Sequence, residues 1–265
     1  MSIKKVNIRT LQTSKENAER FAVTTAYDAT LAQTASEAGI EVLLVGDSLG
    51  NVVQGQDSTV PVTLEHMVYH TQCVARGNTR SLVIGDMPFM TYQDPFSAAE
   101  NAAELMRAGA NMVKMEGGAW LADTIAHLNH QGIPVCAHLG LLPQSYHLLG
   151  GYRIQGKTEE DAARMLADAK ELEEAGAQLL VVEMIPEALA KKITEELSIP
   201  VIGIGAGGGT DAQVLVIYDL LGLSGYIPSF SKNFMEAAGG VKEALQAYGE
   251  AIRSGQFPDS DHTLI

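Results

Sequence analysis

The sequence contains few cysteines and few basic residues. Cys73 and Cys136 are the two cysteines among 265 residues, too few to indicate a disulfide framework. Lysine and arginine together number 18 against 32 aspartates and glutamates, which gives a formal net charge of −14. Nucleic acids and anionic membranes both require a basic protein face, so neither is expected as a partner.

Long hydrophobic segments are also missing. The apolar runs are much shorter than the roughly 20 residues that a membrane-spanning helix needs. The N-terminal stretch MSIKKVNIRTLQTSKENAERF has no apolar core of the kind found in secretion signals. These absences predict a cytoplasmic location.

The sequence does contain enough apolar material for a large core. Hydrophobic residues make up 46% of the chain and charged residues 19%, a composition typical of globular proteins. No linker or low-complexity tract divides the chain, and α/β barrels often reach this length undivided. We therefore predict a single domain over residues 1–265, with a short N-terminal segment and a C-terminal helical extension.

One unit recurs along the chain: a short β-branched strand, a polar or glycine-containing turn, and an amphipathic helix. Strands are predicted over residues 21–28, 41–48, 81–89, 112–118, 133–141, 179–186, 200–207 and 221–227. Helices such as 28–40, 95–108 and 158–176 end at or next to a glycine, which is a plausible helix stop. Eight repeats predict a closed (β/α)₈ barrel of the TIM type, an α/β fold; an open doubly wound sheet is the alternative.

The active-site face of such a barrel lies at the carboxyl ends of its strands. Polar residues occupy these ends on strands one to six: Tyr27, Asp47, Asp86, Glu116, His138 and Glu183. Four of them follow an apolar residue two positions earlier, namely Val45, Ile84, Cys136 and Val181. Since alternate residues share one face of a strand, these polar side chains are predicted to extend the inward face into the barrel mouth. The long segment 140–158 is predicted to lie over that mouth.

Asp47, Asp86 and Glu116 would come from neighbouring strands and repel one another in a partly dry pocket. A divalent cation relieves this repulsion, and oxygen ligands suit Mg²⁺. The alternative is that Asp47 and Asp86 cap the helices that follow. Lys114 is predicted to bind a substrate carboxylate or a developing oxyanion, or else to pair with Glu116 or Asp86.

Glu183, flanked by apolar residues, suits a general base, and a structural bond to backbone amides is the alternative. His138 could donate to a substrate oxygen or be structural. The other histidines receive no role. The glycine run 203–209 could bind phosphate through its amides, or it could allow close packing against a helix.

Several motifs add a family resemblance that covers about residues 3–258. They are LVGDSLG, QDSTVPVT, DMPFMTY, AGANMVKMEGG, PVCAHLGLLPQS, GGYRIQGKT, AGAQLLVVEMIP and IPVIGIGAG. Together they resemble the ketopantoate hydroxymethyltransferase family. The resemblance implies a barrel of the phosphoenolpyruvate/pyruvate type, a homodecamer of two pentameric rings, and Mg²⁺. It also implies transfer of the one-carbon unit of 5,10-methylenetetrahydrofolate to 3-methyl-2-oxobutanoate, giving 2-dehydropantoate in the first step of pantothenate synthesis.

The resemblance also implies roles for individual residues. Metal ligands would be Asp47, Asp86 and Glu116, and Glu183 would be the proton acceptor. Substrate contacts would come from Ser48, Lys114 and His138. Tyr27, from its place at the end of the first strand, and the metal ligands Asp47 and Asp86 are further candidates for substrate contacts. Gln56 and Ala212 depart from the family pattern, which puts at most folate handling or a loop contact in doubt.

The resulting hypothesis is that the 2-oxo acid chelates Mg²⁺, loses its C3 proton to Glu183 and attacks the methylene carbon as an enolate. Two other functions fit the same residues. One is a metal-dependent lyase or decarboxylase of 2-oxo acids from the same superfamily. The other is a non-catalytic barrel that senses a metabolite.

Overall fold

A computed structural model describes residues 5–264, and its centre is a closed barrel of eight parallel strands in chain order. The strands are β1 (Phe21–Thr25), β2 (Val42–Val45), β3 (Leu82–Asp86), β4 (Met112–Glu116), β5 (Val135–Gly140), β6 (Leu179–Glu183), β7 (Val201–Ile204) and β8 (Ala212–Leu215). The closing pair is β1 with β8, with Phe21 opposite Ala212. The predicted (β/α)₈ barrel is therefore confirmed, and the open sheet is excluded.

Helices surround the barrel. They are α1 (Ile8–Glu16), α2 (Ala29–Glu37), α3 (Leu49–Val52), α4 (Leu64–Gly77), α5 (Pro95–Ala108), α6 (Ala122–His130), α7 (Tyr146–Leu149), α8 (Glu159–Glu174), α9 (Glu187–Glu196), α10 (Ile217–Leu220) and α11 (Val241–Arg253). Short 3₁₀ turns lie at Ala119–Leu121, Pro143–Ser145 and Ser260–His262. No helix of the described residues has the length and apolar character needed to cross a bilayer.

The start and stop signals of α5 act as the sequence predicts. The carboxylate of Asp94 accepts hydrogen bonds from the amides of Phe96 and Ser97, and Pro95 occupies the first helical position. Gly109 ends the helix with a left-handed φ of 113°. The predicted limits 95–108 are confirmed.

Each strand has two buried faces, because helices cover the barrel and side chains fill its interior. On β2, Val42 and Leu44 pack inside the barrel, whereas Leu43 and Val45 pack beneath the helices. The same alternation places Lys114 and Glu116 in register with Met112, which is an interior residue. These two charged side chains therefore follow the interior face of β4 upward.

The predicted inward face is wrong for Val45 and does not hold for Tyr27. Val45 packs in the outer layer, yet Asp47 lines the mouth. Tyr27 has the parity of the interior residue Val23 but packs in the outer layer. In both places the strand has already ended, at Val45 and at Thr25 respectively, so the two-residue period no longer determines direction.

The eighth strand differs from the prediction. Residues 221–227 are irregular, and β8 instead begins at Ala212, so that only seven residues separate it from the end of β7. Glycines permit this short return past α9: a Cβ on Gly207 would lie 2.5 Å from Cγ of Glu187, and one on Gly209 would lie 2.7 Å from Cβ of Lys191. The glycine run thus allows close packing, and the amide of Gly208 already donates to the Glu187 carboxylate at 3.0 Å.

Helices near both ends of the chain close the barrel. Leu11 of α1 packs in the interior cluster, and Lys15 forms an ion pair with Asp211 at 2.8 Å. On the outside, the hydroxyl of Tyr248 in α11 donates to the carbonyl oxygens of Val23 (2.8 Å) and Gln213 (3.1 Å). That side chain thereby joins the first strand to the last.

Candidate metal and substrate site

A cavity of about 880 Å³ opens at the carboxyl ends of the strands. One part of its wall carries charged and polar groups: Asp47, Ser48, Asp86, Lys114, Glu116, His138 and Glu183. Another part is formed by residues that follow β8, including Tyr218, Leu223, Tyr226 and Phe230. From the predicted loop 140–158, Pro143 and Tyr152 reach the cavity. The mouth therefore combines an ionic region with an apolar and aromatic one.

Three carboxylates meet in the ionic region. Asp47, Asp86 and Glu116 each offer an oxygen atom, and these atoms all lie within 4.8 Å of one another. All three residues are buried. Neither aspartate caps a helix: the N-cap residue of α3 is Ser48, with no side-chain cap, and Asp86 accepts from the backbone amide of Asp47 at 3.3 Å. The capping alternative is therefore wrong for both.

The mutual repulsion of these acids shapes their proton affinities. Burial, followed by the charges of Asp86 and Glu116, raises the pKa of Asp47 well above its ordinary value. Burial also raises the pKa of Asp86, although Lys114 opposes the shift. For Glu116, burial is outweighed by Lys114, by His138 and by a backbone amide, which lower its pKa to about 2. The three acids are thus a strained group of like charges.

Lys114 lies among the carboxylates. Its ammonium group is 2.8 Å from both oxygens of Asp86 and 3.1 Å from Oε1 of Glu116. Burial lowers the pKa of this amine, but the three neighbouring carboxylates raise it well above its usual range. The ion pair considered as an alternative is therefore present. The side chain also lines the cavity, so the pair leaves it available to a bound anion.

His138 links the acidic trio to Glu183. Its Nδ1 is 3.4 Å from Oε1 of Glu116, and its Nε2 is 3.2 Å from Oε2 of Glu183. Neither contact is aligned as a hydrogen bond, so both buried nitrogens retain hydrogen-bonding capacity. Burial and the charge of Lys114 lower the pKa of His138, but the nearby carboxylates of Glu116 and Glu183 outweigh them, and the net shift of its pKa is upward.

The position of Glu183 depends on a close approach to β5. A Cβ on Gly140 would overlap the backbone oxygen of Glu183, and Gly140 has a φ of +94°. That same oxygen accepts a hydrogen bond of 2.8 Å from the amide of Leu141. The lack of a side chain at Gly140 therefore allows the backbone of Glu183 to lie this close to the end of β5.

Gly140→Ala is expected to destabilise the protein by about 2–4 kcal/mol, because it combines a left-handed backbone with a backbone overlap. Gly132→Ala is the matched control: its φ is +80°, but a Cβ there meets nothing within 4 Å. This control should cost only about 1–2 kcal/mol. Urea denaturation of the two variants measures the difference, and equal losses of stability would contradict the assigned overlap.

Ser48 and Tyr27 form a pair beside the cavity. Their oxygens are 2.9 Å apart, and Ser48 lines the cavity whereas Tyr27 lies behind it, stacked on Tyr218 at 5.8 Å. Burial raises the pKa of Tyr27, so its phenol stays protonated. Tyr27 thus acts on the cavity through Ser48 in this structure.

The sequence analysis missed Gln144, Tyr92 and Tyr152. Gln144 is buried and donates to Asp47, and Tyr92 is buried next to it. Tyr152 lines the cavity, and burial followed by the charge of Glu183 raises its pKa to about 12. A signal for Gln144 existed, since it is the first polar side chain after the apolar stretch of residues 141–143. No such signal marked the two tyrosines.

Solved structures share this barrel. A 2,3-dimethylmalate lyase, a member of the PEP mutase/isocitrate lyase superfamily, aligns with a TM-score of 0.56 at 21% identity over 79% of this chain and 78% of its own. A phosphonopyruvate hydrolase, solved in complex with oxalate and Mg²⁺, aligns with a TM-score of 0.61 at 12% identity over 80% of each chain. This chain therefore shares its closed (β/α)₈ barrel fold with both solved structures.

The chain belongs to the ketopantoate hydroxymethyltransferase family, whose sequence model matches residues 5–260. Similar proteins include the 3-methyl-2-oxobutanoate hydroxymethyltransferase of Idiomarina loihiensis, which is 55% identical over 99% of each chain. The enzyme of the same name from Shewanella sp. strain MR-7 is 57% identical over 98% of this chain and 99% of its own. The family resemblance is confirmed, and the protein is an enzyme that transfers a hydroxymethyl group.

The two departures from the family pattern lie away from the cavity. Gln56 is exposed, and its amide donates to the carbonyl of Gly50 at 2.8 Å. Ala212 is the first residue of β8 and packs inside the barrel. The cavity lining among residues 5–264 includes neither. Neither departure therefore changes a group that faces a substrate there.

Proposed function

We propose that the protein transfers the one-carbon unit of 5,10-methylenetetrahydrofolate, with water, to 3-methyl-2-oxobutanoate. The products would be 2-dehydropantoate and tetrahydrofolate, in the first step of pantothenate synthesis. The family membership supports this reaction. The observation that carries the chemistry is that the acidic trio, Lys114 and Glu183 line one cavity.

The donor set fits a magnesium ion. Three buried carboxylates oppose one ammonium group in Lys114, which leaves two negative charges that a divalent cation would neutralise. All the offered ligand atoms are oxygens, which Mg²⁺ prefers. Asp47, Asp86 and Glu116 would hold the ion. When bound, it would act as a Lewis acid that stabilises negative charge on the oxygens of the 2-oxo acid.

Lys114, Ser48 and His138 would orient the 2-oxo acid. Lys114 offers a positive charge to the carboxylate of the 2-oxo acid, and Asp86 and Glu116 fix the position of the lysine ammonium group. Ser48 is held by Tyr27, and its hydroxyl can bond the same carboxylate. His138 has two buried nitrogens without aligned partners, so it can bond a substrate oxygen without giving up an existing bond.

Glu183 would be the general base. Its side chain is 13% exposed and lines the cavity, so it can reach a substrate hydrogen. After Glu183 accepts the C3 proton, the enolate carbon would bond to the methylene carbon of the folate as one of the two carbon–nitrogen bonds of that carbon breaks, and the released nitrogen would take the proton from Glu183. Water would then replace the second nitrogen at the same carbon: its oxygen supplies the hydroxyl group, its proton goes to that nitrogen, and tetrahydrofolate leaves. His138 lies between Glu183 and Glu116, with its Nε2 3.2 Å from Oε2 of Glu183.

The apolar part of the cavity would take the folate. A volume of about 880 Å³ is within the size range of sites for drug-sized ligands and far exceeds the needs of a five-carbon acid. Tyr218, Tyr226 and Phe230 offer aromatic surface on which a flat pterin can stack. The two substrates would therefore meet between the acidic and aromatic walls.

The purified enzyme tests this proposal against a lyase or decarboxylase function. With Mg²⁺, 3-methyl-2-oxobutanoate and 5,10-methylenetetrahydrofolate it should form tetrahydrofolate and 2-dehydropantoate. In D₂O without folate it should exchange the C3 hydrogen of the acid, followed by NMR. Turnover of oxaloacetate, with neither transfer nor exchange, would establish the lyase or decarboxylase instead. The absence of all three reactions would support a metabolite-binding barrel.

Two further properties are proposed, the first from the family resemblance alone and the second from the features of the sequence. One is a homodecamer of two pentameric rings, and the other is a cytoplasmic location. Analytical ultracentrifugation of the purified chain tests the first, since a monomer of 28.2 kDa and a decamer sediment very differently.

A further inference from the structure

Gln144 is a buried residue of the loop over the mouth (residues 140–158), and it lies next to the acidic trio. It lies in the 3₁₀ turn Pro143–Ser145, directly after β5, and is only 7% exposed. A buried amide must satisfy its donors and acceptor within the protein, because an unpaired polar group is costly. The partners of this amide therefore show what the side chain does.

The hydrogen bonds that Gln144 donates go to two members of the acidic trio and to a residue next to the third. Its Nε2 donates to Oδ2 of Asp47 and to the carbonyl of Met87, both at 2.9 Å. Its backbone amide donates to Oε2 of Glu116 at 3.1 Å. One residue thus binds a carboxylate at the end of β4 and a second one just after the end of β2.

Tyr92 fixes which way round the amide lies. Its hydroxyl donates to Oε1 of Gln144 at 2.5 Å and also contacts the backbone of Glu116. A donor on Oε1 forces the NH₂ end of the amide to face Asp47.

We infer that Gln144 is a positioning residue that holds the carboxylates of Asp47 and Glu116 in place for a divalent cation. This inference rests on the proposed metal site. Partners that orient a metal ligand change metal affinity by 10–100-fold when they are removed. Because Gln144 belongs to the loop over the mouth, the same bonds also tie that loop to the trio.

Trp120 provides an optical reporter of the Gln144–Tyr92 contact. Tyr92 stacks on Trp120, with ring centroids 6.4 Å apart and planes inclined by 13°. Trp120 is the one tryptophan in the sequence. A change in the Gln144–Tyr92 contact should therefore alter the intrinsic fluorescence of a single, identified indole when the cation binds.

The test is a titration of the full chain, free of substrates, with Mg²⁺ by isothermal calorimetry and Trp120 fluorescence. Gln144→Met keeps the length of the side chain and removes its side-chain hydrogen bonds to Asp47, Met87 and Tyr92, while the backbone amide can still bond Glu116. It is expected to weaken Mg²⁺ binding by about 10–100-fold. Tyr92→Phe should weaken it less, by releasing the amide. The double variant should match Gln144→Met, since the two residues act through one bond.

Gln178→Ala is the matched control. Its Oε1 accepts from the amide of Val135 at 2.8 Å, and its Nε2 donates to Asn129 at 3.0 Å. It is therefore another amide that holds β5, but at the far end from the mouth. This variant should lose stability in urea and keep the wild-type affinity for Mg²⁺.

The outcomes separate the inference from the metal site itself. Wild-type affinity in both Gln144→Met and Tyr92→Phe, or equal weakening in Gln178→Ala, would overturn the positioning role. If Gln144→Met fails to fold, Tyr92→Phe alone decides the question. A wild-type chain that binds no Mg²⁺ would instead overturn the proposed metal site, and the inference with it.

Discussion

Glu183→Gln should slow exchange of the C3 hydrogen of 3-methyl-2-oxobutanoate with D₂O by about 10²–10⁴-fold, the contribution typical of a positioned base. An amide of the same shape cannot accept that proton. The three candidate metal ligands are unchanged, so Mg²⁺ affinity should stay within about a factor of three, a modest free-energy change of the size seen for most substitutions away from the ligands. NMR exchange kinetics and Mg²⁺ calorimetry on the same preparation measure both quantities.

Glu187→Gln is the control for this prediction. Glu187 lies four residues further along, on α9, and its carboxylate accepts from the amide of Gly208 outside the cavity lining. Its replacement should leave exchange at the normal rate. Exchange that persisted in Glu183→Gln would show that another group removes the proton, and His138, 3.2 Å from Glu183, would be the next residue to test.

Lys114→Met should lower the free energy of unfolding of the Mg²⁺-free protein by about 3–5 kcal/mol, the usual cost of removing one partner from a buried ion pair. Lys114 is only 4% exposed, and its ammonium group bonds two carboxylates. Its loss therefore leaves the negative charges of Asp86 and Glu116 uncompensated. Urea denaturation measures the loss. Transfer activity should fall as well, since the proposed contact to the substrate carboxylate is removed.

Magnesium distinguishes this explanation from a simple packing defect. A divalent cation should stabilise Lys114→Met more than the wild type, because the variant has one more uncompensated negative charge to neutralise. Lys170→Met is the control: Lys170 pairs with Glu196 at the surface, where such pairs contribute about 0–1 kcal/mol. A Lys114→Met protein as stable as this control would contradict the electrostatic role.

Most of the barrel follows from the sequence because its strands and helices are locally consistent. Seven predicted strands overlap β1–β7, and α5 has the predicted limits. The eighth strand was predicted wrongly because β8 begins without the helix that usually precedes a strand. Its position depends on glycines packing against α9, a tertiary contact that no periodicity displays.

The ionic residues of the site were predictable to different degrees. Asp86, Glu116 and Glu183 end their strands on the interior face, so alternation alone places them. Asp47 reaches the same mouth only because the chain turns after Val45, which alternation cannot show. Gln144 is marked in the sequence only as the first polar residue after an apolar stretch, and its role could not be predicted because its partners lie far away along the chain.

The cross-strand pairing of the charged residues has a consequence for folding. Asp86 pairs with Lys114, and Glu116 pairs with His138, on strands that are hydrogen-bonded neighbours. A slip of β4 by one residue would turn Lys114 and Glu116 into the apolar layer under the helices, where each unpaired charge costs several kcal/mol. The charged groups of the site thus also disfavour barrels in which β4 is out of register. A chain with apolar residues at these positions would specify the register of β4 less strongly.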